Sequence, residues 1–202
     1  MEGNRDVIFD ALFPRFCVNC DEEGTLLCLR CAGDVRIDTT PMAYADPVVR
    51  KLICSWKYSG DQEGLMRLIG LLRPRLDSLK AVIRAHRIEA IVPVPLSSWK
   101  ERMRGFNQAR DGARAMGELL QLPVTEVLLR RQRFGAQANL SHEARKVSFK
   151  KSPFLLKKNA EVPVRVLLFD DVETTGATMD AAEMVLRDAG VEEVVRWSFA
   201  RG

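Results

Sequence analysis

Between Val164 and Thr178 the sequence reads VRVLLFDDVETTGAT, and no other stretch restricts the fold as much. The apolar run from Val166 to Phe169 has the bulk of a buried strand. It delivers two adjacent carboxylates, Asp170 and Asp171, to the point where that strand should end. Thr174, Thr175, Gly176, Ala177 and Thr178 follow as a short loop of hydroxyls and glycine. An amphipathic helix from Ala177 to Ala189, stopped by Gly190, comes next. Strand, loop and helix in this order predict an open parallel α/β sheet with its ligand at the strands' C-terminal edge. Paired acids hydrogen-bond vicinal hydroxyls, while N–H groups converging on a helix start hold a phosphate without a lysine. Together they suit a ribose carrying a 5-phosphate. A polar turn running into a Thr-capped helix is the plainer account of the same residues.

The cysteines set a second constraint. Cys17-x-x-Cys20 and Cys28-x-x-Cys31 are two close pairs seven residues apart, with Gly24 available for the turn. Each pair offers two thiolates to one tetrahedral ion, and four soft ligands with no open position describe a structural Zn²⁺ site. The spacer is shorter than the usual ribbon spacing of about 15–20 residues, so the expected unit is a compact knuckle. Buried core cysteines or a redox switch are the alternatives. So small a segment builds no core of its own, and metal binding is expected to supply its folding energy. Cys54, between Ile53 and Trp56, reads as a helix-face packing residue.

With 202 residues, 47% hydrophobic and 29% charged, the chain suits one well-buried domain and a small appendage. The expected division is a zinc-binding module over 1–40 and an α/β domain over 41–202. No run approaches the roughly 18 apolar residues of a membrane span, and Glu2, Asp6 and Asp10 interrupt the start, so a cytoplasmic protein is expected. Helical spacing is read over Pro47 to Trp56, broken by Tyr58-Ser-Gly-Asp61, and resumes over Leu65 to Leu72 as far as Pro74. Ala90 to Leu96 reads as a strand ending in prolines, Asn107 to Leu120 as a helix, and Val124 to Leu129 and Val191 to Phe199 as strands. Residues 130–158 are basic, polar and weakly periodic. The net charge of +4 hides an asymmetry: Leu96 to Lys158 holds fourteen Lys/Arg against five Asp/Glu. That surface is expected to meet an anion, either pyrophosphate or nucleic acid.

The 164–178 stretch resembles the phosphoribosyl-pyrophosphate (PRPP) signature of type I phosphoribosyltransferases. With Val92-Pro-Val-Pro-Leu96, Arg104-Gly-Phe-Asn-Gln-Ala109, Lys57-Tyr58 with Gly60 and the four cysteines, the chain resembles the ComF family from about Phe13 to Arg201. The resemblance implies a type I phosphoribosyltransferase fold: an open, mostly parallel sheet with flanking helices, preceded by a small four-cysteine zinc module. It implies that Asp170 and Asp171 hold the ribose, that Thr174 to Thr178 hold the 5-phosphate, and that Arg102 and Arg104 are pyrophosphate donors. Mg²⁺ would accompany PRPP. Gln137, Leu140 and Arg145 resemble a flexible loop that closes over the site. The threonine usual before the glutamine is replaced within Phe134-Gly-Ala136, and the asparagine usual after the loop arginine is Ser148.

Three readings follow. The protein transfers ribose 5-phosphate to an unnamed acceptor, or binds PRPP or a nucleotide as a sensor or adaptor, or chiefly handles single-stranded DNA. The resemblance implies a role in natural competence and DNA uptake beside a helicase-like partner, with membrane association only peripheral and through partners. Phe9, Phe13 and Phe16 read as packing residues rather than a base-stacking platform.

Overall fold

The computed structural model describes residues 14–35, 37, 41–131 and 152–202. The chain divides into two compact units, Met1–Leu76 with Ala200–Gly202, and Asp77–Phe199. The expected 1–40 module falls within the first.

In the first unit a helix, α1 (Leu29–Asp34), follows the second cysteine pair, and a short strand, β1 (Met42–Ala43), pairs in parallel with Ala200 and Arg201. Helix α2 (Pro47–Ser59) starts because Asp46 accepts hydrogen bonds from the Val48 and Val49 N–H groups, with Pro47 in its first turn. It buries Val48, Val49, Leu52, Ile53 and Trp56, the predicted stripe, and ends on Gly60 at φ 67°. Asp61 caps α3 (Gln62–Leu72) in turn. The helix pattern was expected to stop at Pro74. Instead a 3₁₀ turn, Arg73–Arg75, carries the chain into α4 (Leu76–Ala85). A proline in a first turn forfeits no hydrogen bond, so it interrupts nothing there.

Helices α2 and α3 approach closely at Gly64. A Cβ there would stand 2.9 Å from the Leu52 carbonyl oxygen and 3.1 Å from the Trp56 nitrogen. Gly70, on the same helix, has no atom within 4 Å of its Cβ position.

In the second unit the sheet runs in the order β6 (Glu193–Arg201), β5 (Arg165–Glu173), β2 (Ala90–Pro93). Strands β2 and β5 are parallel, with Ala90 opposite Val166 and Pro93 opposite Phe169. Between them the chain forms α5 (Ser98–Arg104), α6 (Gln108–Leu120) and the antiparallel pair β3 (Leu128–Arg130) and β4 (Phe154–Leu156). Helix α7 (Ala177–Asp188) links β5 to β6, and Gly190 follows its end at φ 94°. Met179, Ala182 and Leu186 of α7 join a buried cluster with Val92, Val166 and Leu168. Gly117 of α6 lies instead against Ile91. Alternate strand residues face opposite ways, so the helices flank both faces, as expected for an open α/β sheet.

The strand expected over Val124 to Leu129 is split. Val124 makes a single parallel bridge with Ile91, a turn closes between Val127 and Thr125, and Leu128–Arg130 then pairs elsewhere. Pro123 has no N–H to extend the first pairing.

Gly64→Ala should lower unfolding free energy by about 1–3 kcal/mol through overpacking. Gly70→Ala should raise it by about 0.5–1 kcal/mol, because only helix propensity changes. Urea titrations of both variants check the pair.

Candidate functional site

Two arrangements of side chains carry chemistry, one in each unit. In the first, Cys17 and Cys20 sit on a turn closed by Asp21 N–H to the Cys17 carbonyl, with Asp21 at φ 59°. Phe16 bridges Glu23 across it, and Gly24, at φ 104°, donates to the Arg15 carbonyl. Cys28 precedes α1 and Cys31 is buried within it. All four Sγ atoms lie within 4.8 Å of one another, with Cys20 and Cys28 at 3.7 Å. Two sulfurs about 2.3 Å from one tetrahedral ion stand about 3.8 Å apart, so the spacing fits zinc. Burial pushes the Cys17 thiol up, yet the Cys28, Asn19 and Cys20 N–H groups outweigh it and hold Cys17 at about 6. At Cys28 the Cys31 N–H pulls down, but burial, Glu22, Cys31 and Cys20 prevail and push the thiol up to about 12. Thiols this close cannot all ionise without a cation among them, and a divalent ion supplies that charge.

Glu63, in the first turn of α3, ties the knuckle to that helix. Its carboxylate accepts from the Leu26 N–H at 3.2 Å, from Arg67 and from Arg15, and Arg67 also donates to the Thr25 hydroxyl. Burial raises the Glu63 pKa, but Arg67, the Leu26 N–H and Arg15 outweigh it and hold it below the usual carboxylate range. A folded pKa below the unfolded one gives stability that is present above the unfolded value and lost as pH falls through the folded one. Glu63→Gln should therefore be less stable than the parent by about 1–2 kcal/mol at neutral pH. The gap should close as the parent's carboxylate protonates below the usual carboxylate range of about 4.3. Melting temperatures of both proteins across pH check this, acid effects on the thiols being common to both.

Zinc analysis of protein purified under reducing conditions should find about one ion per chain. Cys20→Ser or Cys28→Ser should abolish it and promote aggregation. A stable zinc-free chain with four titratable thiols would remove the assignment.

In the second unit, β5 carries Val166, Leu167, Leu168 and Phe169 fully buried and then emerges with Asp170 half-buried and Asp171 buried. The strand runs on to Glu173, so the two acids lie inside its last turn of pleat rather than beyond its end. Phe169, just before them, stacks on Trp197 at 5.5 Å and meets Phe199 edge-on at 5.4 Å. The Asp171 N–H donates to Asp170 Oδ1 (2.9 Å) and the Val172 N–H to Asp171 Oδ1 (2.8 Å). Thr174 and Thr175 are exposed. Gly176, at φ 76° and ψ −14°, is the N-cap of α7, and no side chain caps the helix. The Thr175 hydroxyl stands 3.5 Å from the Ala177 N–H. The helix is therefore not the Thr-capped one of the plainer account.

Residues 94–104 leave β2 at the same sheet edge, since Pro93 is opposite Phe169 and the Val94 N–H donates to the Phe169 carbonyl at 2.8 Å. Arg102 and Arg104 both lie on α5. Arg102 is exposed, and Arg104 donates to Gln108 at 3.0 Å. Gln137, Arg145, Phe134 to Ala136, Leu140 and Ser148 lie outside the described residues, as do Phe9 and Phe13. The Arg131 N–H donates to the Pro153 carbonyl at 2.8 Å. Sequence reasoning passed over Glu173, which is buried and whose Oε1 lies 3.5 Å from the Cβ position of Gly176. Its one signal was an acid three residues before the loop glycine. Among the described residues no helix is long and apolar enough to cross a membrane.

No family model matches the chain. Competence protein F of Haemophilus influenzae is 36% identical over 58% of this chain and 54% of its own length, so the match spans about half of that relative. Competence protein ComFC of Streptococcus pneumoniae is 27% identical over 97% of this chain and 85% of its own, and ComFC of Bacillus subtilis is 28% identical over 71% and 55%. Among solved structures, an allosteric regulatory enzyme of purine biosynthesis aligns with 59% of this chain and 24% of its own, at 21% identity and TM-score 0.39. The three bacterial relatives, all named as competence proteins, support the resemblance to the ComF family carried by the motifs.

Proposed function

We propose that this chain binds PRPP with Mg²⁺ at Asp170 to Thr178, and serves natural competence as a phosphoribosyltransferase-like protein. The observation that carries the reading is one juxtaposition. Two acids lie in the last residues of a buried parallel strand, six and five residues before the left-handed glycine that opens a helix no side chain caps. Asp170 and Asp171 take the ribose hydroxyls. The N–H groups from Thr175 to Thr178 and the hydroxyls of Thr174, Thr175 and Thr178 take the 5-phosphate. Displacing pyrophosphate from the anomeric carbon builds negative charge on the leaving group, so Arg102 and Arg104 act as its donors, and positioning does most of the work. Mg²⁺, a hard cation, suits the carboxylate and phosphate oxygens brought together there and would neutralise part of the pyrophosphate charge. The names of the relatives support the link to competence. A PRPP sensor or adaptor without turnover is the second reading, favoured by Phe134-Gly-Ala136 and Ser148 standing where the family pattern has other residues.

Calorimetry of PRPP with and without Mg²⁺ tests the site. Asp170→Asn with Asp171→Asn should weaken binding at least about tenfold, the loss of one charged hydrogen bond or more. Gly176→Val should abolish it, because φ 76° is a conformation that β-branched residues resist. A double variant that binds PRPP as the parent does would move the site elsewhere. Pyrophosphate release with a panel of acceptors separates transferase from sensor.

A further inference from the structure

We infer, on the reading of Thr174 to Thr178 as the phosphate site, that Arg196 is a positioning residue for it. By pairing with Asp180, Arg196 cancels the acid in the first turn of α7 and so sets how tightly the loop holds an anion. Asp180 lies four residues after Gly176, about 6 Å along the axis, and side chains on a helix lean back toward its start. Its N–H donates to the Gly176 carbonyl at 2.8 Å, which closes the turn that opens the helix. A carboxylate there is favoured by the helix dipole, and for the same reason it competes with a bound phosphate for that field. Arg196, half-buried on β6, reaches across to it. Its Nη1 stands 2.6 Å from Asp180 Oδ1, and its Nε stands 2.6 Å from Glu183 Oε2.

Stability alone does not ask for this arrangement. The Asp180 side chain is 62% exposed, and an ion pair that open contributes little. A cation near a helix start is opposed by the dipole, whereas the acid would be favoured there unaided. Glu183 does not need Arg196 either, because Arg187, one turn further along α7, holds it at 3.2 Å. What Arg196 changes is the charge beside the loop. With it, Asp180 and Glu183 are balanced by Arg187 and Arg196. Without it, Asp180 keeps no ion pair among the described residues, and a doubly charged phosphate meets twice the repulsion of a single anion. The Arg196 guanidinium is itself engaged by two carboxylates, so it acts on a ligand through Asp180.

Calorimetry of the full chain with ribose 5-phosphate, which carries the phosphate without the pyrophosphate, tests this, and PRPP with Mg²⁺ is titrated in parallel. Arg196→Gln should bind ribose 5-phosphate about three- to tenfold more weakly, as a screened repulsion across one helical turn demands. Asp180→Asn should bind as tightly as the parent or more tightly. Asp180→Asn combined with Arg196→Gln should return to within about twofold of the parent, because the two changes are coupled. The deficit of Arg196→Gln should also shrink in about 1 M salt, where charges are screened within about 3 Å. Both single variants lose an ion pair and should unfold at lower urea, so tighter binding by Asp180→Asn cannot come from firmer packing. Weaker binding by Asp180→Asn, unchanged binding by Arg196→Gln, or a double variant as weak as Arg196→Gln alone overturns the inference, and PRPP binding by the parent then leaves the site itself in place. A parent that binds ribose 5-phosphate but not PRPP sinks only the PRPP reading, and a parent that binds neither sinks both.

Discussion

The pairing of β2 with β5 is the interaction on which the candidate ligand site depends. Four consecutive residue pairs, from Ala90 with Val166 to Pro93 with Phe169, run in parallel through a fully buried layer. Parallel pairing sends both strands out at one edge, so the acids after Phe169 and the α5 segment after Pro93 emerge side by side. The register is held from both faces. Val166 and Leu168 pack under α7, while Phe169 is clasped by Trp197 and Phe199. A slip of one residue would turn every one of these side chains to the wrong face and bring a carboxylate into the aromatic cluster. The cost of burying that charge forbids the slip, so the same contacts that make the core also aim the acids.

The first unit uses different means. Its cysteine knuckle has few apolar residues, and what orders it is the convergence of four thiols together with the Glu63 network. Hydrogen bonds to a carboxylate are about twice as strong as neutral ones, and Glu63 gathers a backbone N–H and two guanidinium groups. The thiols of Cys17 to Cys31 and the Glu63 carboxylate, which meets Arg15, Thr25 and Leu26, thus act on one short segment.

What the sequence made legible was what periodicity and local chemistry carry. Helices α2, α3 and α6 each bury a regular stripe, strand β5 is a solid apolar run, and the cysteine spacing fits one ion. Helix α5 was not foreseen because it buries no residue at all. Periodicity reports burial, and a solvent-facing helix of seven residues gives none. Its caps, Ser97 before it and Gly105 after it at φ 78°, were the readable signs. Helix α4 was masked by Pro74, read as a stop although a proline in a first turn is no breaker. The run from Val124 to Leu129 misled in the opposite sense, being β-prone throughout yet shared between two different pairings. Glu63 and Glu173 were opaque for another reason. The role of Glu63 rests on partners that the fold brings to it, Thr25 and Leu26, and Glu173 shows only by the fold that it lies beside Gly176.

The way helices begin in this protein bears on the phosphoribosyl reading. Asp46, Asp61, Ser97 and Asn107 each give a side-chain oxygen to the first turn of α2, α3, α5 and α6. Such a cap contributes about 1 kcal/mol, and threonines at 174 and 175 stood ready to supply one for α7. The chain instead enters α7 through Gly176 in the left-handed region, with no side-chain cap. Asp180, the acid of the first turn, is drawn away to Arg196 at 2.6 Å. N–H groups already satisfied by a side chain would gain little from a ligand. Those left to water exchange weak partners for a doubly charged phosphate in the field of the helix dipole. On that reading, forgoing the cap keeps the difference in reserve for binding, and an anion completing the first turn would restore the stability.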